Sequence, residues 1–180
     1  MKTYTVAVLG ATGAVGQEMI KVLQERNFPV GKLVPLASAR SAGKTVKFRG
    51  EDVTIQEAAD TAFKGVDIVL GAAENDIAKK FAPAIVASGA VFVDNSSAFR
   101  LNPEVPLIVP EVNPGDAKNA PRRIIANPNC TTIQMVVALK AIEDLSHIRR
   151  VHVSTYQSAS GAGAAAMDEL VAQYAELGAG

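Results

Sequence analysis

Gly10-Ala11-Thr12-Gly13-Ala14-Val15-Gly16 follows the apolar run Thr3–Leu9 (T-Y-T-V-A-V-L) and opens a stretch with apolar residues at Val15, Met19, Ile20, Val22 and Leu23. A short apolar run that ends in glycine reads as a buried strand, and the spacing after it reads as a helix. Leu33–Ala37 is the next apolar run. The opening is therefore strand, glycine turn, helix, strand. Glycines let the backbone turn sharply and let a pyrophosphate approach. The helix start then offers unpaired N–H groups and a partial positive charge. A glycine motif alone is weak, but in this context it marks a dinucleotide site, against the alternative of a tight turn without ligand.

Outward from this unit, strands and helices keep alternating. Thr45–Phe48 and Val53–Ile55 are short β-like pieces in an excursion between core elements. Val66–Leu70 reads as a strand and Ile77–Ala87 as a helix. Val91–Val93 and Leu107–Val109 are short apolar runs, and Ile124–Ala126 is a strand. Thr131–Leu145 is helical, Val151–Tyr156 reads as a strand, and Ala164–Leu177 as a helix. The pattern predicts an α/β fold: a Rossmann-type, mostly parallel sheet flanked by helices, with an incomplete second α+β domain. The expected division is residues 1–130 for the dinucleotide-binding domain and 131–180 for the start of the second.

Composition narrows the function. The 180 residues carry 18 basic and 18 acidic side chains, a formal net charge of zero, and no tryptophan. Neither a nucleic-acid partner nor a membrane surface is expected from that balance. No apolar run reaches the roughly 18 residues that a membrane-spanning helix needs. The N-terminus MKTYTVAVLG lacks the features of a secretion signal. Cys130 is the single cysteine, so an internal disulfide and a cysteine-based metal site are both excluded, and no metal is expected. The expected location is the cytoplasm.

The end of the second strand selects the dinucleotide. An NAD site usually places Asp or Glu there for the ribose hydroxyls. Leu36-Ala37-Ser38-Ala39-Arg40-Ser41 has no acid. Arg40 supplies a planar cation, and Ser38 and Ser41 supply hydroxyls, which suits the extra 2′-phosphate of NADP. The alternative for Arg40 is an ordinary surface arginine.

Asn127-Pro128-Asn129-Cys130-Thr131-Thr132 lies between a strand and a helix. Cys130 then falls at or near a helix start, a position that favours the thiolate. Asn129 could donate a hydrogen bond to a developing oxyanion. A thiol near a nicotinamide points to covalent chemistry on an aldehyde or acyl group. By position alone, a buried small apolar cysteine is an equal reading.

Six segments taken together resemble the N-terminal part of aspartate-semialdehyde dehydrogenase: GATGAVG (Gly10–Gly16), SARSAGK (Ser38–Lys44), NSSAFR (Asn95–Arg100), VPEVN (Val109–Asn113), NPNCTT (Asn127–Thr132) and QSASGAG (Gln157–Gly163). They occur in the family's order and spacing, over essentially the whole chain. The resemblance implies interconversion of L-aspartate 4-semialdehyde, phosphate and NADP⁺ with 4-phospho-L-aspartate and NADPH, running in cells towards lysine, methionine and threonine. It implies Cys130 as the acyl-thioester nucleophile. Gly10, Thr12, Gly13, Ala14, Val15, Ser38, Arg40, Ser41, Asn95, Ser160 and Gly161 would contact NADP. Arg100 would bind phosphate or the acyl phosphate, with Gln157 and Asn129 beside the substrate. The family assembles as a homodimer or tetramer.

Departures accompany the match. The family's acid/base histidine and its substrate-carboxylate arginine have no counterpart motif here. His147 and His152 match neither, and His152 alternates with Val151 and Val153 on an expected strand. Gly71-Ala72-Ala73-Glu74-Asn75 differs from the family's more serine- and glycine-rich form. The expectation is a fragment or incomplete product of a longer enzyme, binding NADPH with little turnover by itself. N-acetyl-γ-glutamyl-phosphate reductase, which shares the cysteine chemistry, is a second reading that NPNCTT and NSSAFR disfavour. A non-catalytic NADP-binding module is a third.

Overall fold

The computed structural model of the chain describes residues 2–178. It comprises two compact units, one ending at Ala141 and the other running from Ile142. The first unit is built on a six-stranded sheet. Its strands are β1 (Tyr4–Leu9), β2 (Val30–Ala37), β5 (Gln56–Glu57), β6 (Ile68–Gly71), β7 (Val91–Asp94) and β8 (Ile124–Ala126), in the order β5-β2-β1-β6-β7-β8, all parallel. A separate antiparallel hairpin, β3 (Thr45–Phe48) with β4 (Glu51–Thr54), accounts for the excursion after β2. The expected α/β architecture is the observed one.

β1 explains why the sheet needs helices on both sides. Successive side chains of a strand point to opposite faces. Val6 and Val8 pack with Ile20 and Leu23 of helix α1 (Ala14–Glu25). Ala7 and Leu9 pack on the other face with Phe81 and Ile85 of helix α2 (Asn75–Ala87). The chain steps from β1 to β2 on one side and later to β6 on the other. The two connections diverge between β1 and β6, and a crevice opens at the strands' C-terminal ends.

Helix α3 (Cys130–Glu143) begins after β8. Leu107–Val109 is not a strand of the sheet. Leu107 makes a single bridge to Ala126, and the Ile108 N–H donates to the Ala126 carbonyl at 3.0 Å.

The second unit holds helix α4 (Ala164–Gly178) preceded by a short helical turn, Ala159–Ala162. The strand expected over Val151–Tyr156 is absent, and these residues have no regular secondary structure. A strand is completed by a hydrogen-bonded neighbour, and among the described residues this unit offers none. Apolar periodicity was the right local signal without the partner it requires. Helix α4 exposes a row of apolar side chains, Leu170, Val171, Tyr174 and Leu177.

Candidate active site

Twelve of the expected site residues lie along one edge of the sheet, at the C-terminal ends of β1, β2, β7 and β8. The turn after β1 carries Gly10, Thr12, Gly13, Ala14 and Val15. Gly10 has a φ of +92°, which favours glycine, and a Cβ there would lie 2.8 Å from the Ala72 carbonyl oxygen. A Cβ at Gly16 would collide with the Gly10 carbonyl oxygen. The turn is closed from within: the Gly13 N–H donates to the Gly10 carbonyl at 3.1 Å, and Gln17 Nε2 donates to the Thr12 carbonyl at 3.0 Å. The N–H groups of Thr12, Ala14, Val15 and Gly16 have no hydrogen-bond partner among the described residues. Four free donors at the start of a helix, beside glycines that let a ligand approach, fit a pyrophosphate.

The same turn is fastened to the end of β2. Gly10 and Ala11 both donate their N–H groups to the Leu36 carbonyl, at 2.8 and 3.0 Å. Two residues further on, Ser38 begins a tight turn whose carbonyl accepts the Ser41 N–H at 2.8 Å. Ser38 and Arg40 are exposed, whereas Ser41 is buried. Arg40 forms no hydrogen bond or ion pair with any described residue. Its guanidinium is thus uncommitted, in the turn that follows β2, with no carboxylate at the strand end. Those features fit a dinucleotide carrying a 2′-phosphate.

On the other side of the crevice the loops are joined by side chains. Asn75, at the start of α2, donates through Nδ2 to Ser97 Oγ at 2.9 Å, and its Oδ1 accepts the Ser97 N–H at 2.9 Å. The Asn95 N–H donates to the Gly71 carbonyl at 3.0 Å, and its side chain pairs with that of Asn127. Arg100, half-buried, donates from Nε to the Asn127 carbonyl at 2.9 Å and from Nη2 to the Asn95 carbonyl at 3.0 Å. Two of its five donors are used, and three remain for an anion.

Cys130 is the first residue of α3 and is exposed. Asn129 caps the helix: its Oδ1 accepts the N–H groups of Thr131 and Thr132 at 3.0 and 3.3 Å, and the Thr131 hydroxyl at 2.5 Å. That fixes the amide, and its Nδ2 is left without a partner among the described residues, available to donate beside the thiol.

Gln157, Ser160 and Gly161 belong to the second unit. There the Gln157 carboxamide folds against Gly161, so that a Cβ on Gly161 would collide with its Nε2. Ser158 Oγ and Ser160 Oγ lie 2.8 Å apart. His147 Nδ1 lies 2.8 Å from Glu143 Oε1 in the same unit.

Sequence reasoning passed over Asp94, Asn75 and Asn127. Asp94 closes β7, is 0% exposed, and accepts two hydrogen bonds from Ser96. Burial pushes its carboxyl up from the usual range, while the Ser96 hydrogen bonds and the Arg100 charge pull it down. The available signal was an acid ending the otherwise apolar run V-F-V-D.

Residues 5–120 match the family model described as Semialdehyde dehydrogenase, NAD binding domain, and residues 139–180 match Semialdehyde dehydrogenase, dimerisation domain. The chain is 56% identical, over 172 residues, to an aspartate-semialdehyde dehydrogenase of Synechocystis sp., covering 96% of this chain and 51% of that protein. Among solved structures it resembles aspartate semialdehyde dehydrogenase II of Vibrio cholerae complexed with ASA. That match has a TM-score of 0.90 and 49% identity, over 98% of this chain and 53% of the other. It also resembles an aspartate semialdehyde dehydrogenase with NADP from Candida albicans, with a TM-score of 0.65 and 27% identity, over 82% of this chain and 48% of the other. The chain spans about half the length of the curated relatives it matches. No helix among the described residues is long and apolar enough to cross a membrane. The chain belongs to the semialdehyde dehydrogenase family, and the relatives it matches are aspartate-semialdehyde dehydrogenases.

Proposed function

We propose that these residues are the cofactor and cysteine half of an NADP-dependent, phosphorylating aspartate-semialdehyde dehydrogenase. It interconverts L-aspartate 4-semialdehyde, phosphate and NADP⁺ with 4-phospho-L-aspartate and NADPH. It acts in the cytoplasm, on the route to lysine, methionine and threonine, as a homodimer or tetramer. The observation that carries this reading is a single sheet edge holding both a cradle of free N–H groups at the start of α1 and an exposed thiol at the start of α3. The family's NAD-binding domain supports a nicotinamide cofactor, and the NADP named in the Candida albicans relative agrees with the uncommitted Arg40.

Gly10, Thr12, Gly13, Ala14 and Val15 hold the pyrophosphate through the main chain, and Ser38, Arg40 and Ser41 hold the 2′-phosphate. Asn95 approaches the nicotinamide side, and Ser160 and Gly161 are further cofactor contacts. In the reductive direction Cys130 Sγ attacks the acyl carbon of 4-phospho-L-aspartate. A C–S bond forms, the C–O bond to phosphate breaks, and the phosphate leaves with its electron pair and takes up a proton. The three free donors of Arg100 bind the departing phosphate. Asn129 Nδ2 donates to the carbonyl oxygen as charge builds there, and Gln157 holds the substrate. The dinucleotide, when bound, supplies a hydride to the thioester carbon. Breaking the C–S bond then releases the semialdehyde and restores the Cys130 thiolate. The family's acid/base histidine and α-carboxylate arginine have no matching motif in these residues, and the 180-residue polypeptide by itself should bind NADPH and turn over little.

Incubation with 4-phospho-L-aspartate followed by mass spectrometry tests the covalent step. An aspartyl adduct should map to Cys130 and vanish in Cys130→Ser, which keeps its NADPH affinity. An adduct that persists in Cys130→Ser overturns the assignment.

A further inference from the structure

Among the described residues, Asp94 is the only ionisable side chain that is fully buried. It lies at the end of β7, and glycine on the adjacent strand makes room for it: a Cβ at Gly71 would lie 3.0 Å from Asp94 Oδ1. Both carboxylate oxygens turn back onto Ser96. The Ser96 N–H donates to Oδ1 at 3.2 Å and the Ser96 hydroxyl to Oδ2 at 2.6 Å. Ser96 Oγ in turn accepts the Ala98 N–H at 3.1 Å. This pins the turn from Asp94 to Ala98, and with it the direction of the Asn95 carbonyl. On the side of the paired strand β8, the Asp94 carbonyl accepts the Asn127 N–H at 2.8 Å. Asn95, whose carbonyl takes the Nη2–H of Arg100, thus stands on a turn pinned by the Asp94 side chain, while Asn127, whose carbonyl takes the Nε–H, is held by the Asp94 main chain.

We infer that Asp94 is a positioning residue for Arg100. Through Ser96 its side chain holds the turn whose Asn95 carbonyl takes one Nη2–H, and its main chain holds Asn127, whose carbonyl takes the Nε–H, so the other three donors stand as a pre-set fork for a phosphate or phosphoryl group. A bidentate donor gains most when its orientation is fixed before the ligand arrives. The anion is the one in the proposed function and the inference rests on that reading there, but the positioning itself does not.

The two are separable by NMR of the Arg Nε–Hε signals of the ¹⁵N-labelled 180-residue chain, with the Arg100 peak assigned by its loss in Arg100→Lys. In the unsubstituted chain that proton should exchange slowly, because it is donated to a carbonyl. Ser96→Ala and Asp94→Asn loosen the Asn95 carbonyl that holds Nη2, and a guanidinium held at one point instead of two should exchange its Nε–H about tenfold faster or more. Ser96→Thr should restore slow exchange, and the Gly10 and Gly13 amide signals should stay in place in all three. Inorganic phosphate should move the Arg100 peak, with an affinity about tenfold weaker in Ser96→Ala. Unchanged Nε–H exchange in the folded Ser96→Ala chain overturns the positioning role. If phosphate leaves the Arg100 peak of the unsubstituted chain unmoved while exchange responds as expected, the phosphate role falls and the positioning stands.

Discussion

The turn after β1 and the loops after β7 and β8 share one edge of one sheet, yet they are made from different parts of the chain. The first is main chain: its free groups are amide N–H donors, and its shape depends on side chains being absent at Gly10 and Gly16. The second is side chain: Asn95, Arg100 and Asn127 tie two strand ends together through hydrogen bonds, Asp94 pins the turn after one strand, and Asn129 caps the helix after the other. A main-chain site is contiguous by construction, because the helix start that supplies its donors is one stretch of sequence. A side-chain site gathers residues more than thirty positions apart, and each can be replaced without breaking the strand it stands on. The difference predicts that damage to the first is steric and damage to the second is graded.

The largest effect should come from Gly16→Ala. Its methyl would overlap the Gly10 carbonyl oxygen, a main-chain atom that cannot swing away. Overpacking of this kind costs about 1–3 kcal/mol, read by urea denaturation, and NADPH binding should be lost with it. A stable Gly16→Ala protein with normal NADPH affinity would erase the steric half of the comparison. Next is Arg40→Ala, which leaves the turn intact but removes the uncommitted cation. A charge-assisted contact is worth roughly 1.5–3 kcal/mol, so fluorescence titration should show NADPH weakened about tenfold to a hundredfold and NADH almost unaffected. Asn129→Ala removes a helix cap and should cost about 1 kcal/mol, with the Cys130 end of α3 losing amide protection first. Retained protection at Thr131 and Thr132 would mean that the cap is dispensable.

The smallest effect is a pH slope. Burial raises the Asp94 carboxyl above its ordinary value in the folded chain, against Ser96 and Arg100. The folded state therefore holds the proton more tightly than the unfolded state. The stability linked to this group is present below the unfolded pKa and is lost as pH rises through the folded one. Compared with Asp94→Asn, the unsubstituted protein should lose stability across that acidic window in denaturation measured at stepped pH. A parallel pair of curves would remove Asp94 as their source.

What could be read from sequence follows the same division. The turn at Gly10–Gly16, the sheet around it and the helix start at Cys130 were legible because each is a local pattern with a known consequence. Val151–Tyr156 had the same apolar alternation but no partner to pair with, and alternation cannot report a partner. Asp94 and Asn127 were missed because their roles exist only where the ends of β7 and β8, far apart in sequence, meet in the sheet. Arg100 was legible as a candidate through its motif, but the two carbonyls that hold it were not.

Gly16 has a consequence in heredity as well as in mechanics. Every missense change at a glycine codon introduces at least a Cβ, and at this position the Cβ is what cannot be accommodated. The codon therefore has no conservative neighbour. Populations carrying this gene should tolerate synonymous changes there and little else, whereas Gly115, where a Cβ would meet nothing within 4 Å, leaves that space open.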